Sequence, residues 1–274
     1  MTRHRAALGL AAGLLALALA ACQERSVAPA TFTVSAAADL AYAFEELGQR
    51  FTAETGRRPI FNFGSSGQLA QQIGQGAPVD LFAAAGLDYL DELERAGLLQ
   101  PDTRQIYGRG RIVLWTRSDS SLGIERLADL TRPEVRRVAI ANPDHAPYGV
   151  AARAALRSAG VWDAVQPKLV LGENVRQALQ YAETGNVDVA IVALSQCVPA
   201  AVPSTAGRWT LIPETLHPPI DQGLAVIRGA RAADDARAFA AFVMSPTGQA
   251  ILGKYGFTPV PGQATPLTSP GDRR

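Results

Sequence analysis

Hydrophobic positions along this chain switch repeatedly between a period near two and a period near four. "TFTVSAA" (31–37) reads as a strand. Behind it Leu40, Ala43, Phe44, Leu47 and Phe51 recur at helical spacing, which predicts a helix from Asp39 to Phe51. "PIFNF" (59–63) is the next strand, and a helix from Gln68 follows, with Leu69 and Ile73 one turn apart. "VDLFAAA" (79–85) is almost continuously apolar, as a strand buried on both faces would be, and a helix around Tyr89–Ala96 comes after it. The alternation continues with strands "RIVLWT", "RRVAIAN", "PKLVLG" and "VDVAIVAL". Between them stand a short helix "IERLADL" and helices at Tyr148–Ser158 and Val175–Thr184. "WTLIP", "GLAVIR" and helices "DDARAFAAFVM" and "PTGQAILGKYG" complete it. Strand–helix alternation over some 240 residues predicts an α/β fold with mostly parallel sheet, in two lobes rather than one.

The first residues break this pattern. "MTRHR" is basic, and "AALGLAAGLLALALA" is an apolar stretch of signal-peptide length, too short for an ordinary membrane span. It ends in Leu19-Ala20-Ala21-Cys22, the form of a bacterial lipobox. The expectation is a signal peptide over 1–21 and a lipid on Cys22. A tether over 22–30 would then hold an exported lipoprotein, periplasmic or at the cell surface, to a membrane face. The other cysteine, Cys197, has no partner for a disulfide and reads as a packed small hydrophobe. The tail 259–274, rich in Pro, Thr and Gly, reads as disordered.

Charge narrows the function. Lys plus Arg number 26 and Asp plus Glu 25, a formal net charge of +1, so nothing attracts nucleic acid. In α/β sheets ligands bind beyond the carboxyl ends of strands, where helices begin. Four such turns carry suggestive residues. Asp39 follows three alanines in "SAAADL"; Ser65 and Ser66 sit between Gly64 and Gly67; Pro147, Tyr148 and Gly149 open one helix; Asn174 precedes the helix at Val175. Helix N-termini bring free N–H groups and partial positive charge, so several around one cleft make a neutral cage for an oxyanion. Taken singly, Ser, Asp and Asn in these places also serve as helix caps.

"TVSAAADLAYAFEELGQRFTAETG", "FGSSGQLAQQIGQGAPVDLFAAA", "NPDHAPYGVAARAAL", "ENVRQALQYAETGNVDVAIVALSQ" and "SPTGQAILGKYGF" together resemble the molybdate-binding proteins of bacterial ABC importers, over residues 31 to about 258. The resemblance implies a type II periplasmic-binding-protein fold: two α/β lobes, a hinge and a ligand cleft. Residues 31–111 plus 217–258 would form one lobe and 112–216 the other. It implies no cofactor, a molybdate or tungstate ligand, an ABC permease as partner and a monomeric state. The family's ligand positions carry over to Asp39, Ser66, Tyr148, Val175 and Ala193, with no free metal cation. Two positions depart from the usual pattern. Ala193 replaces a tyrosine that some members have, and Tyr148 could supply that phenol. Asp39 replaces a hydroxyl or amide, and a carboxylate beside a dianion is repulsive by several kcal/mol. Either Asp39 turns away to cap its helix, or it is protonated, or the ligand brings a proton.

The rival readings are an enzyme, a sensor or adhesive lipoprotein on the same fold, and a binding protein for another oxyanion. Ser66, His145 and Asp144 could be cast as a hydrolase triad. However, "GSSG" lacks the nucleophile-elbow spacing, and an aspartate adjacent to the histidine is badly placed to orient it.

Overall fold

The computed structural model describes residues 30–198, 201 and 207–260. The signal segment 1–21, Cys22 with nearly all of the tether 22–30, and most of the tail 259–274 lie outside the described residues.

Among the described residues, ten strands form two five-stranded sheets. The first contains β1 (Thr31–Ala37), β2 (Arg58–Gly64), β3 (Leu81–Ala85), β4 (Gln105–Gly110) and β10 (Ile220–Val226), in the order β2-β1-β3-β10-β4. The second contains β5 (Ile112–Arg117), β6 (Val138–Ala141), β7 (Leu169–Gly172), β8 (Val189–Ala193) and β9 (Gly207–Leu211), in the order β7-β6-β8-β5-β9. Eight helices among the described residues flank them: α1 (Ala41–Thr55), α2 (Ser66–Gly74), α3 (Asp88–Arg95), α4 (Pro147–Ser158), α5 (Trp162–Val165), α6 (Val175–Glu183), α7 (Ala233–Met244) and α8 (Pro246–Lys254).

The sheets are mixed, not mostly parallel. β1 pairs in parallel with β2 and β3, and β6 with β7 and β8, whereas β10 is antiparallel to β3 and β4, and β5 to β8 and β9. The antiparallel strands are those that carry the chain between sheets. β4 leaves the first sheet and β5 enters the second with only Arg111 between them, and β10 brings the chain back. Such strands are not joined to their sheet neighbours by the helical crossover that parallel pairing requires.

Aromatic residues fill the core under the first sheet. Phe51 and Phe239 meet edge to face at 5.3 Å between ring centres, and Phe32 and Phe44 touch the same cluster at 5.8–6.0 Å. Each buried ring adds area burial plus about 0.5–1.5 kcal/mol of ring–ring geometry. Cys197 is buried, and its thiol donates to the Ala193 carbonyl at 3.4 Å. Burial pushes that thiol well up from its ordinary value, consistent with an unreactive packed side chain.

Three local expectations need correction. The first helix starts at Ala41 rather than Asp39, because Ala38–Leu40 form a 3-10 turn. The carbonyls of Ala38 and Asp39 accept from Gln196 Nε2 at 3.0 Å and Ser195 Oγ at 2.7 Å, both side chains of the second-sheet lobe. "IERLADL" yields only a 3-10 segment at Leu127–Thr131. β4, "QIYGRG", went unpredicted because two glycines interrupt its apolar pattern; it becomes a strand through pairing with β10.

Candidate functional site

Three helices point their N-termini into one small cavity. Its lining includes Ala37–Asp39 at the end of β1, Gly64–Ser66 at the end of β2, Ala146–Tyr148 at α4, and Asn174 and Val175 at α6. Each turn begins where a strand ends, so the sheets aim the helices and the small residues let backbone approach.

The caps at these helices are specific about which donors they use. Asn174 Oδ1 accepts from the N–H of Arg176 at 3.0 Å and of Gln177 at 3.1 Å. Ser65 is the cap of α2, its Oγ accepting from Gln68 N–H, while Gly67 N–H donates to the His145 carbonyl at 3.0 Å. α4 opens with Pro147, which has no N–H, and the Gly149 and Val150 N–H groups donate to Ala146. Among the described residues, these bonds leave over the N–H groups of Ser66, Tyr148 and Val175, all at the cavity. Ser66 Oγ accepts from Ala85 N–H at 2.9 Å, which leaves its own proton to donate. The site is therefore a cage of neutral donors.

Asp39 is the exception. It caps nothing: α1 has no side-chain cap, and the carboxyl points inward with 1 % of the residue exposed. The capping expectation for Asp39 is thus wrong. Its Oδ2 accepts from Gln222 Nε2 at 2.6 Å and from the Tyr148 hydroxyl at 2.9 Å. Tyr107 in turn donates to Gln222 Oε1 at 2.7 Å, which fixes the amide with its nitrogen toward Asp39. Asp39 Oδ1 is buried without a partner. Burial raises this carboxyl from its ordinary 3.8 to about 6, against the hydrogen bonds from Gln222 and Tyr148, which pull it down. The same burial, with Asp39 beside it, pushes the Tyr148 phenol well above its ordinary range.

Contacts also run across the cavity mouth between the two lobes. Ser65 Oγ lies 2.8 Å from His145 Nδ1 and 3.0 Å from the His145 carbonyl. Gln68 Nε2 donates to Glu173 Oε2 at 2.7 Å, and His145 Nε2 lies 3.9 Å from the same oxygen. A Cβ on Gly67 would stand 2.7 Å from the His145 carbonyl oxygen, so only glycine permits this approach.

Of the five positions expected from sequence, Asp39, Ser66, Tyr148 and Val175 come together at the cavity. Ala193 ends β8 outside its lining, with its carbonyl on the Cys197 thiol. The Tyr148 phenol is engaged by Asp39 and Gln222. The triad of Ser66, His145 and Asp144 does not assemble, since Ser66 bonds Ala85 and the His145 ring meets Ser65 and Glu173. Sequence reasoning missed Gln222 and Tyr107. The one available signal was a polar residue, Gln222, inside the apolar strand run "IDQGLAV".

Comparison with known proteins places this geometry. The model of the bacterial extracellular solute-binding protein family matches residues 32–258. The molybdate-binding protein ModA of Rhodobacter capsulatus is 32% identical over 248 residues, covering 90% of this chain and 96% of that one. ModA of Azotobacter vinelandii is 30% identical over 253 residues, 92% of this chain and 96% of its own. Among solved structures, the A. vinelandii periplasmic molybdate-binding protein superposes with a TM-score of 0.78 at 29% identity, over 83% of this chain and 98% of that one. A match running from the first strand to the last helix, with the same two-lobe fold, means that this chain belongs to the bacterial extracellular solute-binding protein family.

Proposed function

We propose that the protein is the substrate-binding component of an ABC importer, taking molybdate, and tungstate of nearly equal size, into the cavity between its lobes. One observation carries the reading: three helix N-termini converge with the N–H groups of Ser66, Tyr148 and Val175 uncommitted, beside a Ser66 hydroxyl free to donate. Neutral donors suit a dianion that must be released again to a permease. A cationic side chain would hold it through charge as well. The names of the curated relatives point to the same anion. In this reading the lobes 31–111 plus 217–258 and 112–216 close on the ligand, and the permease recognises the closed form. The protein acts as a monomer and performs no covalent chemistry.

Calorimetric titration with molybdate, tungstate, sulfate and phosphate tests the assignment. Molybdate and tungstate should bind alike, and sulfate, being smaller, more weakly. Ser66→Ala should weaken molybdate about tenfold, the lower end for a hydrogen bond to a charged acceptor. It should also lower stability by roughly 1–3 kcal/mol, because the buried Ala85 N–H loses its acceptor. Unchanged molybdate affinity in that variant would remove the Ser66 hydroxyl from the ligand contacts.

The lipid anchor is part of the same proposal and rests on Leu19-Ala20-Ala21-Cys22. Cys22→Ala should abolish fatty-acid labelling and leave a soluble or unprocessed protein. Label persisting on the variant would refute the anchor.

A further inference from the structure

We infer that the site takes up its oxyanion together with one proton, held between Asp39 Oδ1 and an oxygen of the bound anion. The inference rests on the oxyanion reading above and adds a linked proton to it. Asp39 Oδ2 is already saturated by two donors, Gln222 Nε2 and the Tyr148 hydroxyl, and Tyr107 keeps the Gln222 amide from turning. What remains is Oδ1, buried and unpartnered, on a residue that lines the cavity. As a bare carboxylate oxygen it could only accept, and it would face an anion that can also only accept. Two acceptors in contact without a proton repel each other and leave both unsatisfied. A single proton on Oδ1 turns the pair into a donor and an acceptor. That proton comes from solvent, adds to Oδ1 and is shared with the anion in a hydrogen bond. No bond within the anion forms or breaks.

The surroundings supply no competing charge. The titratable side chains that contact the Asp39 carboxyl or its bonded amide are the phenols of Tyr148 and Tyr107, both held well above their ordinary range by burial. Cations on neighbouring elements face other groups. Arg109 pairs with Asp221 at 2.6 Å, Arg111 lies 3.5 Å from Glu214, and Arg176 sits over the Tyr42 ring. His145, at the mouth, is bonded to Ser65 and faces Glu173. Burial already raises the proton affinity of the Asp39 carboxyl, so the anion needs only to complete the shift.

The test is calorimetric titration of the full chain with molybdate between roughly pH 6.5 and 8.5, repeated in buffers of different ionisation enthalpy. Wild type should take up close to one proton per molybdate above neutral pH. Its affinity should fall about tenfold per pH unit there, the slope for one linked proton. Asp39→Asn and Asp39→Ser should bind with no proton uptake and with affinity flat across the range. Both are checked for folding by thermal melting, and either one suffices. A merely structural Asp39 would move affinity without changing the proton count. Wild-type binding with no uptake and no slope would overturn the inference, as would an Asp39→Asn protein that keeps the wild-type slope. No binding of molybdate or tungstate at any pH, in wild type and variants alike, would overturn the oxyanion reading and this inference with it.

Discussion

Gly67→Val is expected to weaken molybdate binding by about 100-fold or more. Gly67 sits in the first turn of α2, and its N–H donates to the His145 carbonyl across the cavity mouth. A Cβ there would stand 2.7 Å from that oxygen and 3.0–3.1 Å from His145 Cβ and Cα. Backbone cannot yield as a flexible side chain does, so the closed arrangement is overpacked by about 3 kcal/mol, the upper end for such insertions. The cost falls on the contact between Gly67 and His145. In the proposed reading ligand is held where this contact is made, so the penalty appears as lost affinity, about 1.4 kcal/mol per tenfold. Wild-type affinity in the Val variant would mean that the lobes hold ligand without this contact.

Asp39→Asn is expected to stabilise the unliganded protein at neutral pH. An acid whose folded-state value is raised from 3.8 to about 6 favours the folded state when protonated. Its contribution is fully present below about pH 4, lost between about pH 4 and 6, and absent above. The full excursion is worth about 3 kcal/mol. Asparagine keeps an oxygen for Gln222 and Tyr148 and carries no charge at any pH. The variant should therefore gain roughly 1–3 kcal/mol at pH 7, several degrees in melting temperature, and lose the decline between pH 4 and 6. Parallel pH profiles for wild type and variant would show that the Asp39 carboxyl is not held above its ordinary value.

The two predictions draw on different layers of what the sequence holds. The helix starts at Ser66, Pro147 and Val175 are local features, each a turn of small or capping residues after an apolar run. Such features are legible because a few adjacent residues determine them. Even so, the first turn misled, since an aspartate beside a helix start looks like a cap. At Asp39 that preference is overridden by Gln222 and Tyr148, which lie more than a hundred residues away in the chain. No periodicity announces such a bond. β4 escaped notice for a related reason, because its strand character comes from β10 and not from its own composition. The α/β class and the place of the cavity could be read from pattern and resemblance. The buried polar network of Asp39, Gln222, Tyr148 and Tyr107 could not.

The position of β10 bears on how the molecule is made. A ribosome delivers the chain from its N-terminus, and β10 belongs between β3 and β4, strands that emerge far earlier. Every strand of the second sheet lies between Ile112 and Leu211 and can pair before Ile220 appears. The half that is synthesised first is thus the half that is completed last. In the interval the apolar β3 segment, "LFAAA", has one flank without its partner, an open edge of the kind that invites aggregation. A nascent or translocating chain must carry that edge uncovered until nearly all of its length has been released.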